Sequence, residues 1–348
     1  MKRILIVKNR ALGDSIIGLS TIQYIKALLP HAHITYALPN WIMPLYFNLD
    51  TSADKYFSLK FNNIIDWVKL FFTLFFSGDK FDLIYELHCS GSSYKFFKLY
   101  SFFTRTNYHF NNHHITKNSN PRPSIERDLE GVWRFLNENI YKGNLKYPNY
   151  LEYEPRILLK SKTKQNKKVK EKEEKIIVLG IVASRLSKVW PLEYFKKLIN
   201  LITDNDANIR FIIPISPTYP IDIEVEKLFN QENNYKIKKS QNIQFIKKEL
   251  DELPLYLEKA YLYIGNDTGL KHLSVAMGLK TFTFFGPDEP GEWHPYNVEI
   301  HHCFFIENKK LPCRTKNGHF CGISECVSCN CLRLISVELV FDVVKKYL

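Results

Sequence analysis

The stretch that decides the fold is "MKRILIVKNRALGDSIIGLSTIQYIKALLP", residues 1–30. A short apolar strand, Ile4 to Val7, runs into a turn, and an amphipathic helix follows with Ile16, Leu19, Ile22, Ile25, Leu28 and Leu29. Strand, tight turn and helix in this order open a nucleotide-binding α/β domain. A dinucleotide site places three glycines there, so that a pyrophosphate can approach the backbone. This turn has one, Gly13, and a carboxylate, Asp14, stands at the helix start. An acid repels phosphate, so the first turn is expected to serve a different chemistry.

Working outward, 348 residues are enough for about two domains of ordinary size. An apolar share of 45% supports real cores and excludes a disordered chain. After Lys2 and Arg3 the apolar run is only Ile-Leu-Ile-Val, too short for a secretory leader. No stretch reaches the roughly 18 apolar residues of a spanning helix. The closest, "IIDWVKLFFTLFF" (Ile64 to Phe76), is shorter and is broken by Asp66 and Lys69; its aromatic-rich part, Trp67 to Phe76, reads as a buried helix of the first domain or, with the basic excess, as a face that docks that domain on anionic lipid. A cytoplasmic protein is expected.

The net charge is +12, and much of it sits in "LKSKTKQNKKVKEKEEK", residues 159–175, which has no apolar periodicity. This segment reads as a solvated linker between two domains, 1–158 and 176–348. The remaining excess suits an anionic ligand: a nucleotide, a phosphorylated glycan or the anionic face of a membrane. No RRM or zinc-finger module argues for nucleic acid.

Strands are expected at Arg3–Lys8, His33–Leu38, Lys55–Leu59 and Phe81–Leu87, with helices at Ser15–Leu29, Ile64–Phe76, Gly91–Phe103 and Pro123–Ile140. Beyond the linker, strands fit Ile176–Ile181, Ile209–Pro214, Ile243–Ile246, Ala260–Ile264 and Lys280–Phe284, with helices after Pro191, Ile221, Leu253 and Gly269. Such alternation predicts parallel sheets covered on both faces. The fold class is therefore α/β, two Rossmann-like domains whose strand ends face a cleft.

Phosphate chemistry is concentrated in the second domain. "YLYIGNDTGLKHLSVAMG" reads as strand, turn and helix, with Asp267, Thr268 and Gly269 in the turn and Lys271 and His272 one turn in. A helix N-terminus binds anions through unpaired N–H groups and its partial positive charge. Asp267 would repel a phosphate and suits sugar hydroxyls instead; the alternative is that it caps the helix while His272 packs in the core. In "GIVASRLSKVWPLEYFKKLI", Ser184, Arg185, Ser187 and Lys188 lie between a strand end and a helix opened by Trp190-Pro191, as in a pyrophosphate clamp.

Together these motifs resemble the glycosyltransferase family 9 heptosyltransferases of lipopolysaccharide synthesis. The LGD turn, "FDLIYELHCSGSSYKF", "ASRLSKVWPLEYFKKLI", "IGNDTGLKHLSVAMGLKTFTFFGP" and "CVSCNCLRLI" carry the likeness, in order, over nearly the whole chain. The resemblance implies a GT-B architecture and an inverting, metal-independent enzyme. ADP-heptose would bind mainly in the C-terminal domain, with a lipid-linked lipopolysaccharide acceptor on the N-terminal one. By the same resemblance Asp14 matches the base, Lys188 the phosphate lysine, and Thr268, Gly269 and His272 the pyrophosphate site. Asp267 matches the heptose-binding aspartate, and Ser184 stands where better-known members have threonine. Glu224 or Glu226 matches the ribose contact, and the two are not distinguished. For the acceptor, Arg10 joins Arg122 and His113, which lie in a basic region with Arg105, His109, His114 and Arg127. No cofactor is implied, because the ADP-sugar is a substrate. A monomer, peripheral on the cytoplasmic face of the inner membrane, is expected.

A base in the first turn answers the question Asp14 poses. A glycosyl acceptor is a neutral alcohol whose proton must be removed as the new bond forms. The remaining alternative for Asp14 is a plain N-cap. Six of the seven cysteines lie between Cys303 and Cys331, with CxxC and CxC spacings that suit zinc or an iron–sulfur cluster. No second tidy CxxC pair exists, and the resembled family carries late cysteines without requiring a metal, so none is expected. Two other functions fit the motifs: transfer of another sugar from an ADP- or UDP-sugar to a surface glycan, and nucleotide binding without catalysis, which would not need Asp14.

Overall fold

A computed structural model describes residues 2–76, 80–89, 91–111, 122–160, 175–231, 237, 242–311, 313, 326 and 328–348. The chain divides into two compact units, Met1–Thr163 and Lys164–Leu348.

The first unit is built on strands β1 (Arg3–Val7), β2 (His33–Pro39), β4 (Lys55–Leu59), β5 (Leu83–Glu86) and β6 (Asn107–Phe110), with a short β3 (Leu49–Asp50) between β2 and β4. The main sheet is parallel, in the order β4-β2-β1-β5-β6. Ile4 through Val7 are all buried, as expected of a central parallel strand covered on both faces. Helix α1 (Leu12–Leu28) follows β1, and Gly18 lets it settle on β2: a Cβ there would lie 2.1 Å from the Tyr36 hydroxyl. Helices α2 (Ile64–Phe76) and α3 (Gly91–Thr104) place Leu70, Leu74, Phe96 and Phe97 against Leu5, Val7 and Ile84, while α4 (Ser124–Asn139) packs on α1. Strand β3 pairs antiparallel with β7 (Leu158–Leu159), and Lys160 donates to the Phe47 carbonyl at 2.7 Å. Leu159 and Lys160, read from sequence as linker, therefore belong to the first unit.

The second unit is a six-stranded parallel sheet of β8 (Ile176–Gly180), β9 (Arg210–Ile215), β10 (Ile243–Lys247), β11 (Leu262–Asn266), β12 (Lys280–Phe285) and β13 (His301–Phe305), in the order β10-β9-β8-β11-β12-β13. Helices α5 (Leu192–Asn205), α6 (Pro220–Asn230), α7 (Leu253–Leu257) and α8 (Gly269–Ala276) connect strands. In each sheet the first strand sits inside, so the chain order reverses beside it, at β1/β5 and at β8/β11. Ligands of doubly wound sheets bind at the carboxyl ends of strands at such a reversal. At β8/β11, Gly180 faces Gly265, and a Cβ on Gly265 would lie 2.6 Å from the Gly180 backbone.

Edge strands β6 and β13 were not legible: NYHF and HHCFF are short and half polar, as edge strands can be. Helix α2 corrects a second expectation. It is not a buried helix: among its apolar residues Leu70 and Leu74 are buried, while Ile64, Ile65, Val68, Phe72, Phe75 and Phe76 are exposed. One stripe satisfies the sheet, and the sequence is apolar all the way round. No helix among the described residues is long and apolar enough to cross a membrane.

Candidate functional site

At the end of β1 the chain enters α1 through Ala11, which is the N-cap and has no side-chain capping bond. Asp14 is the third residue of the helix and is half-buried, so it is not the cap residue that the alternative reading required. Around it the strand ends carry buried charges that satisfy one another. Lys8 pairs with Asp128 of α4 at 2.6 Å, both almost wholly buried. Asn111 accepts from the Tyr85 hydroxyl at 2.5 Å and donates to the Asp128 carbonyl at 3.3 Å. Glu86 accepts from Ser93 and, at 2.5 Å, from Tyr108. Among the described residues Asp14 has no ion-pair or hydrogen-bond partner for its carboxylate. Arg10 is exposed in the same turn. Arg122 is held by Glu126 at 3.0 Å and Glu130 at 2.6 Å. His109 packs on Phe135 with ring centroids 4.3 Å apart, and His113 lies outside the described residues.

In the second unit β11 ends in Asn266, and α8 begins after Thr268. Thr268 is the N-cap, in extended backbone, with no side-chain capping bond, so it does not occupy the first-turn N–H groups. Asp267 does not cap the helix. Its carboxylate is buried, 2.5 Å from the Lys271 ammonium and 3.4 Å from that of Lys188. Lys188 is also 2.6 Å from Asp288, just beyond β12, and Asp288 is 3.5 Å from Arg185. Three cations thus share two carboxylates beside an open helix N-terminus. The arrangement suits a further anion.

Burial disfavours charge on Asp267, but Lys271 and Lys188 outweigh it and hold its carboxyl well below the ordinary range. Burial also opposes the Lys188 charge, and Asp267 with Asp288 reverse that and push it up. Lys271 is wholly buried and its affinity for a proton is lowered by that burial, despite Asp267. It also donates to the Trp293 carbonyl at 2.6 Å and lies 4.8 Å from the centre of the Phe285 ring. His272 is buried against the Tyr296 hydroxyl, and burial with the Lys271 charge lowers its pKa well below 6.5. It is therefore a neutral group and adds no positive charge.

Asn266 fastens the two loops together. It accepts from the Trp190 backbone N–H at 2.9 Å and donates to the Val182 carbonyl at 3.4 Å. The Trp190 ring is fully buried, stacked 4.2 Å from Phe284, with its indole N–H on the Ile335 carbonyl at 3.0 Å. Lys188, two residues earlier, is thus carried on an anchored loop. Ser184 is exposed there. On α6, Glu224 is exposed, whereas Glu226 pairs with Lys247 at 2.8 Å. The sequence reading missed Asp288, Asn266 and the Lys8–Asp128 pair. The available signal was a charged or amide residue at or just after a strand's carboxyl end, as in "FFGPDEP".

Among the late cysteines, Cys329 donates its N–H to the Cys326 sulfur at 3.4 Å. Among the described residues no group of three or more His, Cys, Asp or Glu side chains is placed to hold a metal, and Cys321 lies outside them.

His294 donates from Nε2 to the His301 carbonyl at 2.7 Å. Burial, reinforced by neighbouring positive charge, depresses His294 to about 4 and His301 to about 3. A histidine depressed on folding gives stability that is complete above its unfolded pKa of about 6.5 and is lost as pH falls. Stability to urea is expected to fall between pH 6.5 and about 4, by about 1.4 kcal/mol per pH unit for each histidine held neutral. His294→Gln should make the slope shallower by one proton. A stability that stays flat from pH 7 to 5 would contradict this account.

Two parallel, doubly covered sheets in one chain are the parts of the GT-B architecture, the fold shared with the solved glycosyltransferases to which this chain is similar. Residues 103–322, well over half of the chain, match glycosyltransferase family 9 (heptosyltransferase), and the chain belongs to that family. Among solved structures it is similar to the glycosyl transferase family 9 protein from Veillonella parvula DSM 2008, at 16% identity and TM-score 0.69, covering 99% of this chain and 97% of that one. It is similar to the same degree, 16% and 0.69, to E. coli ADP-heptose lps heptosyltransferase II, covering 100% and 98%. E. coli heptosyltransferase WaaC with ADP matches at 17% identity and TM-score 0.61, covering 99% and 100%. No curated protein matches the chain in sequence.

Proposed function

We propose that the chain is an inverting, metal-independent heptosyltransferase that moves heptose from ADP-heptose to the lipopolysaccharide inner core, onto a lipid A–Kdo or heptosyl acceptor. The observation that carries this reading is the Arg185–Asp288–Lys188–Asp267–Lys271 network beside the open N-terminus of α8. Lys188 and the α8 N–H groups, with Thr268 and Gly269, receive the pyrophosphate. His272 contributes as a neutral imidazole. Ser184 adds a hydroxyl, Asp267 takes sugar hydroxyls, and Glu224 or Glu226 takes the ribose. Asp14 accepts the acceptor hydroxyl's proton while that oxygen attacks the anomeric carbon, and ADP departs with the electron pair of the broken bond. Arg10, Arg122 and His113 bind the acceptor; for Arg122 this means exchanging a glutamate for an acceptor anion. The acceptor is lipid-linked, and the protein is a cytoplasmic monomer, peripheral on the inner membrane. Two of the similar structures, E. coli ADP-heptose lps heptosyltransferase II and E. coli heptosyltransferase WaaC with ADP, support the choice of donor.

Thermal shift with ADP-, UDP-, GDP- and CMP-sugars tests the donor, since a bound ligand raises the melting temperature. ADP-heptose is expected to give the largest shift and to be consumed with a lipid A–Kdo acceptor. A shift with UDP-sugars alone would replace this reading with transfer of another sugar. Lys188→Ala should weaken ADP-sugar binding by about 1.5–3 kcal/mol, the scale of a charge-assisted hydrogen bond. Unchanged affinity by calorimetry would remove Lys188 from the site.

Activity should survive EDTA, because Lys188, Lys271 and the helix terminus supply the positive field that a divalent ion supplies elsewhere. Activity lost on chelation and restored by magnesium or manganese would defeat this. Metal analysis of the purified protein tests the cysteines separately, with stoichiometric zinc or iron as the contrary result.

A further inference from the structure

Helix α2 buries one apolar stripe and exposes another. Ile65, Val68, Phe72, Phe75 and Phe76 are 49–73% exposed, and on α3 Leu99, Phe102 and Phe103 are 50–78% exposed. The two sets form one surface: the Phe71 ring lies 6.2 Å from Phe103, 5.4 Å from Tyr100 and 6.0 Å from Phe75. A water-facing patch of this kind marks an interaction site. Its charges select the occupant. Lys69 on α2 and Lys95 and Lys98 on α3 are exposed. The one carboxylate on the two helices, Asp66, is buried, accepting the Asn62 N–H at 3.1 Å with Lys60 at 3.5 Å. Phenylalanines flanked by lysines, with no exposed acid on either helix, suit a bilayer interface: rings enter the acyl boundary and ammonium groups snorkel to lipid phosphates. A second copy of this face would bring lysines against lysines.

We infer that the outer face of α2 and α3 docks the chain on an anionic lipid surface, with Phe72, Phe75, Phe76, Phe102 and Phe103 inserted and Lys69, Lys95 and Lys98 on lipid phosphates. This extends the proposed lipid-linked acceptor but stands on its own observation, because vesicle binding requires no sugar transfer.

The test is co-sedimentation of the full chain with phosphatidylglycerol–phosphatidylethanolamine vesicles and with phosphatidylcholine vesicles, alongside its mass in solution. Binding to the anionic vesicles alone is expected. It should weaken severalfold when salt rises from about 0.1 M to about 1 M, which shortens the screening length from about 10 Å to about 3 Å. Phe72→Ser/Phe75→Ser/Phe102→Ser should reduce binding at least about tenfold, since each ring removes buried apolar area. Lys69→Gln/Lys95→Gln/Lys98→Gln should reduce it severalfold or more and leaves the apolar face intact. These side chains are exposed, so melting temperatures should hold, and each variant checks the other. No binding to anionic vesicles, or binding indifferent to both variants, overturns the inference. So does a dimer that the phenylalanine variant dissociates, which would show that a second copy covers the face. Loss of transfer with vesicle binding intact would count against the heptosyltransferase reading alone. Absence of vesicle binding by the parent chain, with its donor affinity intact, would count against this surface alone.

Discussion

Asp14→Asn is expected to give a folded protein that binds donor and turns over roughly 10²–10⁴-fold more slowly, the scale of general base catalysis. Asp14 sits in the first turn of α1 and not at its cap. Asparagine keeps the shape and loses only the favourable meeting of a carboxylate with the helix N-terminus, worth about 0.3–1 kcal/mol. The melting temperature should therefore drop slightly. Donor affinity should hold, because the pyrophosphate network lies wholly in the second unit. The measurements are single-turnover transfer, thermal melting and calorimetry with ADP. Near-normal turnover would mean that the carboxylate only decorates the helix and that another group takes the proton. If stability collapsed along with turnover, Asp14→Ser would separate the two effects, since serine is tolerated in a first turn and cannot serve as a carboxylate base.

How much of this was legible in the sequence depended on the range of the forces involved. Parallel strands buried on both faces announce themselves as apolar runs, so β1, β2, β4 and the central strands of the second unit fell close to their expected places. Helix N-termini after strands were equally plain, and with them Asp14, Thr268 and Lys188. What stayed hidden was pairing across the chain. Nothing near Asp288 says that it meets Lys188, a hundred residues earlier, and nothing near Lys8 names Asp128. Asn266 reads as an ordinary turn residue until its contacts with Trp190 and Val182 are seen. Helix α2 misled for the opposite reason. An apolar run fits a buried helix as well as a lipid-docking one, yet a sheet face can cover only one stripe of a helix, and the exposed stripe carries the docking inference. Charge state was the last thing out of reach. A histidine beside a phosphate loop suggests a cation, and only the burial of His272 next to Lys271 makes it neutral.

Asp267→Asn should destabilise the second unit by about 3–5 kcal/mol, because it leaves the Lys271 ammonium buried without its carboxylate. Lys271 cannot turn to water, since it is wholly buried among the Trp293 carbonyl and the Phe285 and Tyr296 rings. It would lose its proton or open the packing around it. Lys271→Met in the Asp267→Asn background should restore much of the loss, as an apolar side chain of similar length fills the space beside Phe285 and Tyr296. The double-mutant cycle by urea denaturation therefore isolates the pair, with a coupling well above the few tenths of a kcal/mol seen for independent sites. Asp267 is proposed to hold the donor sugar as well, and both of its oxygens already face lysines. Lys188 should shift toward Asp288 when it loses Asp267, so ADP binding should weaken, and binding of the intact sugar nucleotide should weaken more. A variant as stable as the parent would show that the Asp267–Lys271 pair does not hold the site together. Equal loss for ADP and for the sugar nucleotide would show that Asp267 acts only through the lysines and never touches the sugar.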